Sequence, residues 1–416
     1  MRRTTFAYDS VSLILYSVAF LFVDFLTKPI SIVLQLYILV QYFVLFNRFK
    51  RNQLTLIFLF FSFTYVAYIQ LYYFFDIPYH YLVETQSLVN TNIVSLLHIA
   101  FITVMFFGKK ESFENFQNLH PRHFPLVFYA NILILLIMLP VSLVQYPPQY
   151  GQFYTGEIQS SVWIEYCIIF MLVAYLYASS ISQRRVLLCV LVIYLFYPLL
   201  YDRRLQFILY CLIIFALYFN GRFSNKSFLI SLVSGFILLR WYASFRMGTG
   251  LTVLDSVYAV SDDGVMGNNQ GGVFVASTVY VQLVKDGIFD IFFSIKSALG
   301  VLLSFMLPSS LNLSETYINL EALNHRSLPG NGGLPGVYFY LWGGFMGCLL
   351  GGLLFRFLVF GSRSRLALAM SLLMFVTFPK WHSYSLLIVV KLGVWLMIFL
   401  AVADFLYNSK LRRNHD

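Results

Sequence analysis

Long stretches of apolar residues follow one another along most of the chain, and short polar segments that carry charge separate them. A helix that crosses a bilayer needs about 20 predominantly apolar residues, which is the length of most of these stretches. The pattern therefore predicts an all-α polytopic membrane protein with about twelve transmembrane helices. The predicted segments are 10–27, 30–47, 53–75, 88–107, 124–145, 162–180, 185–200, 204–220, 227–243, 335–358, 364–379 and 384–407.

The basic residues of the polar segments recur at alternate ends of successive predicted helices. Lysine and arginine are enriched in cytoplasmic loops, so we assign this side of the membrane to the cytoplasm. Both termini are then cytoplasmic, which requires an even number of crossings. Of the 28 basic residues, 18 fit this orientation: Arg2, Arg3, Arg48, Lys50, Arg51, Lys109, Lys110, Arg122, Arg184, Arg185, Arg222, Lys226, Arg356, Arg363, Arg365, Lys410, Arg412 and Arg413.

One further apolar stretch, at 288–307, does not fit an even number of crossings. It contains Asp290 and Lys296 and lies between segments rich in glycine and asparagine. We interpret it as an interfacial or re-entrant helix on the outer side of the membrane. The predicted organisation is nine transmembrane helices over 1–243, a large outer loop over 244–334, and three transmembrane helices with a cytoplasmic tail over 335–416.

The composition excludes several other classes of protein. Hydrophobic residues make up 59% of the chain and charged residues 11%, whereas a soluble domain carries about 25% charged residues. The net charge of +10 follows from the cytoplasmic segments, so it does not indicate a nucleic-acid partner. The four cysteines lie in apolar stretches and form no CxxC pair, so we expect neither a disulfide nor a bound metal or cofactor.

Five arginines break the cytoplasmic pattern and lie near the outer ends of helices around the large loop: Arg203, Arg204, Arg240, Arg246 and Arg326. An arginine at the bilayer centre costs roughly 2.5 kcal/mol or more, although at a helix end it can extend to the interface. A guanidinium group stays charged and forms paired hydrogen bonds with phosphate. The arginines are therefore either interfacial anchors paired with acidic residues such as Asp202, or a site for a lipid phosphate or pyrophosphate.

Few residues on the outer side have the chemistry of a general acid or base. His325 precedes Arg326, and nearby cations favour the neutral imidazole that a general base needs. A histidine in a loop is more often structural, so both interpretations stay open. Glu157 ends a loop rich in tyrosine and glutamine, which predicts either a sugar-binding surface or an aromatic belt at the interface.

Ionisable residues are rare within the predicted helices. His98, Glu165, Lys391 and Asp404 lie within them or at their edges, and His382 lies near an outer helix end. A proton-coupled transporter needs such residues in a cavity. Because none of these residues is paired at helical spacing, the sequence argues against an ion-driven pump.

The chain resembles the O-antigen polymerases, the Wzy family of Gram-negative inner membranes, and more loosely the O-antigen ligases. The resemblance covers the layout of about twelve helices with cytoplasmic termini and a large outer loop. It also covers two local features. The first is the pair Arg203 and Arg204 before Leu205, followed further along the chain by Arg240 and Arg246. The second is the stretch 331–347, NGGLPGVYFYLWGGFMG, in which a Gly/Asn loop enters a helix that contains tyrosine and paired glycines.

The resemblance implies a GT-C-like glycosyltransferase that works at the periplasmic face without a metal. It would transfer the growing glycan from undecaprenyl pyrophosphate onto the non-reducing end of a new lipid-linked repeat unit, with a Wzz-type chain-length regulator as a partner in the bilayer. The implied catalytic residues are His325, Arg246 and Arg203. The implied residues for pyrophosphate or glycan binding are Arg204, Arg240, Arg326, Tyr338, Glu157 and Asp202.

Two alternatives remain open at the level of sequence. One is an O-antigen ligase or another glycosyltransferase with a polyprenyl-linked donor. The other is a lipid-linked oligosaccharide flippase or another transporter, which also has about twelve helices. A flippase is expected to carry its charges inside the helix bundle, whereas the arginines of this chain lie at one end of it.

Overall fold

A computed structural model of the chain describes residues 2–75, 88–108, 116, 122–145, 163–200, 204–246, 269–287, 289–303, 332–360, 364–383 and 386–413. In these ranges the chain forms α-helices and no β-strand, as the apolar pattern predicts. Their bounds are α1 (Arg2–Leu21), α2 (Lys28–Arg48), α3 (Gln53–Phe75), α4 (Leu88–Met105), α5 (Pro125–Gln145), α6 (Trp163–Tyr177), α7 (Ile181–Leu200), α8 (Arg204–Ile214), α9 (Asn225–Arg246), α10 (Asn269–Lys285), α11 (Ile291–Leu303), α12 (Pro335–Phe360), α13 (Arg365–Trp381) and α14 (Leu387–Arg413).

Six of the described helices are long and apolar enough to cross a membrane: α2, α4, α5, α7, α12 and α14. Most of the other predicted segments are present as shorter apolar helices. These helices confirm the prediction of an all-α membrane protein. The number of twelve crossings stays a prediction.

The helices carry polar side chains inward and apolar side chains outward. On α2, Ser31 and Gln35 are fully buried, whereas Val33 and Phe43 are 64% and 63% exposed. A helix on the surface of a water-soluble protein has the reverse arrangement. Lipid tails are as apolar as leucine, so an exposed apolar face of this kind is stable against a bilayer.

The chain divides into two compact units. The first consists of Met1–Phe113, Val260–Ser362 and Phe378–Val390, and the second of Glu114–Ala259, Arg363–Thr377 and Lys391–Asp416. The first unit therefore contains α1–α4 and α10–α12, together with the end of α13 and the start of α14. The second contains α5–α9 and most of α13 and α14.

Helix α10 has no counterpart among the segments that the apolar pattern predicts. It lies in the stretch assigned to the large outer loop and packs against α3, α4 and α12. Its residues Val273, Phe274, Ser277 and Thr278 are at most 3% exposed. Because protein rather than lipid surrounds this helix, it holds more glycine and hydroxyl groups than a lipid-facing helix would. The apolar stretch at 288–307 is observed as α11.

Helix α12 is broken in its first half. Gly344 has φ 62° and ψ −154°, a conformation that is essentially restricted to glycine. A Cβ atom on Gly347 would overlap the carbonyl oxygen of Phe339, and one on Gly351 would overlap the Phe339 ring. In a straight helix the eight residues from Phe339 to Gly347 would span about 12 Å. Residues 335–342 therefore fold back against 345–360.

Two ion pairs hold the ends of α1 in the first unit. Near its start, the Arg48 guanidinium donates to both oxygens of Asp9 at 2.5 and 3.0 Å, and the N–H of Gly108 donates to Asp9 at 2.7 Å. Beyond its end, Lys285 lies 3.1 Å from Asp24. The first pair is buried and the second is exposed.

Candidate functional site

The structure describes only part of the predicted site. The side chain of Tyr338 is described, and the backbones of Arg204, Arg240 and Arg246 lie in helices. The remaining predicted site residues lie outside the described residues: His325, Arg326, Arg203, Asp202 and Glu157.

Helices α8 and α9 of the second unit carry the arginine positions. A single turn connects the two helices. A π-helical turn, Phe215–Phe219, extends α8, and the Phe215 and Phe228 rings lie 5.6 Å apart across the connection to α9. Fifteen residues separate Arg204 from Phe219, and fifteen separate Asn225 from Arg240. This is about 22 Å along each helix at 1.5 Å per residue. Both arginine positions therefore lie far from the turn, and Arg246 is the last residue of α9.

Tyr338 lies in the short first half of α12 and is 5% exposed. Its ring centroid is 6.3 Å from that of Tyr280 on α10, and Gly333 lies against both rings. Burial of this kind suits a tyrosine that packs the broken helix in place. Contact with a glycan would require this packing to open.

The first unit contains a buried group of polar side chains that we call the dihistidine cluster: Tyr42, Ser62, Tyr65, His98, His382 and Ser383. Every member is at most 1% exposed. They come from α2, α3, α4 and the residues directly after α13. Buried polar side chains in a membrane-spanning bundle are costly, so they mark a candidate functional site.

Ser62 connects the two imidazoles of the cluster. Nε2 of His98 is 3.2 Å from the Ser62 carbonyl oxygen and 2.7 Å from the Tyr42 hydroxyl. Nε2 of His382 is 2.9 Å from the Ser62 hydroxyl. The ring centroids of His98 and His382 are 5.2 Å apart, with their planes at 88°. The two histidines therefore form one hydrogen-bonded unit through a single serine.

Two members of the cluster lie near the middle of their helices. His98 is ten residues from the start of α4, which is about 15 Å, and Ser62 is nine residues from the start of α3, about 14 Å. His382 and Ser383 directly follow the end of α13.

The start of α12 is joined to this cluster. The N–H of Gly333 donates to the Ser383 carbonyl at 3.0 Å, and the N–H of Leu334 donates to the Ser277 hydroxyl at 2.9 Å. The Ser383 hydroxyl is hydrogen-bonded to Tyr65. A Cβ atom on Gly332, which has φ 147°, would overlap the Ser383 carbonyl oxygen. The Gly/Asn stretch that sequence analysis singled out therefore enters the helices beside the cluster.

Aromatic rings enclose the cluster on one side. The rings of Phe58, Phe61 and Trp381 have centroids 5.8, 6.0 and 5.9 Å from that of His382. This enclosure keeps the imidazole apart from the apolar lipid and from bulk water. It also raises the cost of any polar atom of the cluster that has no partner.

A second polar layer continues the cluster along α4. Asn92 donates to the Ser31 hydroxyl at 2.7 Å and accepts from Gln35 at 3.4 Å. Asn90 donates to the Gln282 amide oxygen at 2.7 Å. Since these residues lie one to two turns before His98 on α4, the polar interior extends from the cluster toward the start of that helix.

Sequence reasoning missed the cluster because its members are far apart in the chain. Ser62 and His382 are 320 residues apart, so no helical spacing relates them. The argument against an ion-driven pump relied on the lack of pairs at helical spacing. Spacing along one helix does not reveal contacts across helices, and the fold brings the ring centroids of His98 and His382 to 5.2 Å from each other. The one available signal was a set of polar positions, including Asn92 and His98, on an otherwise apolar α4.

The dihistidine cluster consists of hydroxyl and imidazole side chains. Among the residues that the structure describes, no three or more histidine, cysteine, aspartate or glutamate side chains are arranged to hold a metal ion. The chemistry available there is that of neutral hydroxyl, amide and imidazole groups, which exchange hydrogen bonds and protons. Comparisons with protein-family models, curated proteins and solved structures found no match to this chain.

Proposed function

We propose that this protein polymerises lipid-linked oligosaccharide repeat units at the periplasmic face of a bacterial inner membrane. The growing glycan is transferred from undecaprenyl pyrophosphate onto the non-reducing end of a new lipid-linked unit. The proposal includes about twelve crossings, a GT-C-like architecture, and a Wzz-type chain-length regulator as a partner. It rests on the resemblance to Wzy-type polymerases and on one structural observation, the equal distance of Arg204 and Arg240 from their turn.

The arginine positions suit the chemistry of this reaction. The leaving pyrophosphate gains negative charge in the transition state, and fixed cations stabilise such charge. Arg204 begins α8, while Arg240 and Arg246 lie in the last turns of α9. Guanidinium groups at helix ends can reach a pyrophosphate at the membrane surface without a metal. The proposal assigns Arg246 and Arg203 to the transition state, and Arg204, Arg240 and Arg326 to pyrophosphate binding.

The remaining roles complete the proposed reaction. His325 takes the proton from the hydroxyl group of the incoming sugar. Glu157 and Asp202 form hydrogen bonds with the glycan. Because Tyr338 is buried, its proposed role changes from contact with the glycan to positioning of the Gly/Asn stretch that follows His325.

The proposal is tested by reconstitution of the purified protein in liposomes with the lipid-linked repeat unit alone, without nucleotide sugar. We expect a ladder of longer lipid-linked glycans. Arg240→Ala is expected to lower its rate at least tenfold. The matched control is Arg222→Ala, because Arg222 lies exposed in the turn at the other end of the same two helices. An unchanged ladder in Arg240→Ala and Arg204→Ala would overturn the pyrophosphate site.

One observation favours a second function, the transport of the lipid-linked oligosaccharide. Broken helices and buried ionisable side chains are typical of substrate sites in transporters. The first unit has both, in α12 and in the dihistidine cluster. The same liposomes distinguish the two functions, because a transporter moves the lipid-linked unit between leaflets without chain growth.

A further inference from the structure

Each imidazole of the dihistidine cluster has one nitrogen without a partner among the described residues. These atoms are Nδ1 of His98 and Nδ1 of His382, and both side chains are fully buried. A buried polar atom without a hydrogen bond destabilises the folded protein. Folded proteins rarely keep such atoms unless a further group satisfies them. Two on neighbouring rings point to a ligand.

His98 has two arrangements, because Nε2 lies 3.2 Å from the Ser62 carbonyl oxygen and 2.7 Å from the Tyr42 hydroxyl. If Nε2 donates to the carbonyl oxygen, which can only accept, Nδ1 has a free lone pair and needs a donor. If the Tyr42 hydroxyl donates to Nε2, Nδ1 carries the proton and needs an acceptor.

His382 has two arrangements, and both need a ligand. If the Ser62 hydroxyl donates to Nε2 of His382, at 2.9 Å, then Nδ1 carries a proton and needs an acceptor. If Nε2 donates to the hydroxyl, Nδ1 is a second acceptor. A hydroxyl group both donates and accepts, so it can satisfy the Nδ1 atom of either residue in each arrangement.

The chemistry of these two nitrogens selects one class of ligand. A phosphate oxygen without a proton can only accept, so it satisfies only one of the two arrangements of each imidazole. A metal ion needs further ligands, and the described residues contain no set of three. We propose that Nδ1 of His98 and Nδ1 of His382 each bind a hydroxyl group, from a water molecule or from a saccharide. The proposal does not depend on glycan polymerisation.

The test is nitrogen NMR on the full chain, labelled with ¹⁵N-histidine and reconstituted in lipid nanodiscs. The two residues are assigned without substitution, because His98 is the one histidine followed by isoleucine and His382 the one followed by serine. We expect magnetisation transfer from a hydroxyl proton to Nδ1 of both residues. Nε2 of exposed His123 serves as the positive control for transfer from bulk water, because Nδ1 of this residue is hydrogen-bonded to the Ser179 hydroxyl.

Two samples distinguish the sources of the hydroxyl group. Magnetisation transfer from water protons that does not change when methyl glucoside is added supports a bound water molecule. Transfer that moves from water protons to sugar protons when methyl glucoside is added supports a saccharide hydroxyl. No transfer to either Nδ1 in both samples, while His123 shows it, would overturn the proposal. Ser62→Ala is expected to shift the ring signals of both histidines, whereas a structural role alone would leave Nδ1 of His98 unchanged.

Discussion

Substitution of Asp9 tests its buried ion pair with Arg48 in the first unit. Its carboxylate accepts two hydrogen bonds from Arg48 and one from the N–H of Gly108, and the pair is 2% and 7% exposed. It joins the start of α1 to the end of α2 and to the residues after α4. Asp9→Ala leaves the Arg48 guanidinium buried without a counter-charge.

The expected loss of stability follows from this burial. Removal of one partner of a buried ion pair costs about 3–5 kcal/mol, because the remaining charge stays desolvated. The pair between Asp24 and Lys285 is the matched control within the same unit. Asp24 is 69% exposed, so Asp24→Ala is expected to cost at most about 1 kcal/mol.

A third variant separates the charge from the packing. Asp9→Leu combined with Arg48→Met removes both charges and keeps apolar volume, so it is expected to recover most of the loss. The measurement is the free energy of unfolding in mixed micelles, by denaturant titration with circular dichroism. Equal losses for Asp9→Ala and Asp24→Ala would refute the reasoning, as would a double variant no more stable than Asp9→Ala.

Three further predictions concern the other features of the fold. Gly344→Ala forces an unfavourable backbone conformation in α12 and is expected to lower the free energy of unfolding by about 1–3 kcal/mol in the same titration. The control is Gly235→Ala, which is expected to be neutral or stabilising because there is open space around its Cβ. Ser62→Ala leaves Nε2 of His382 without its hydroxyl partner and is expected to cost about 1–3 kcal/mol. Asp404→Asn weakens the contact with Arg365 at 2.8 Å and is expected to lower the thermal midpoint by several degrees.

The sequence predicted the lipid-facing helices well because their signal is local. Residues 30–47 were predicted as a helix and are observed as α2, Lys28–Arg48, and 124–145 corresponds to α5, Pro125–Gln145. A helix surrounded by lipid must satisfy its backbone internally and present apolar side chains, so the chain itself carries the pattern. The other six predicted crossings are not among the six described helices that are long and apolar enough to cross a membrane.

The sequence could not predict the elements whose surroundings are protein. Helix α10 contains Gly271, Ser277 and Thr278, all buried, and its neighbours supply the apolar contacts that its own composition lacks. The break in α12 depends on Gly343 and Gly344, but paired glycines also occur in unbroken membrane helices. The reversal is visible only in the structure, where a Cβ atom on Gly347 would overlap the carbonyl oxygen of Phe339.

The same contrast between local signals and contacts across helices applies to the candidate site. The arginines at the ends of α8 and α9 were predicted because a charge near membrane depth is conspicuous in an apolar sequence. The dihistidine cluster was not, because His98 resembles an isolated buried histidine until the fold brings His382 to within 5.2 Å. Two imidazoles with unpaired nitrogens cost free energy that apolar residues at the same positions would not. Their presence in the first unit therefore argues that this polar interior binds a ligand.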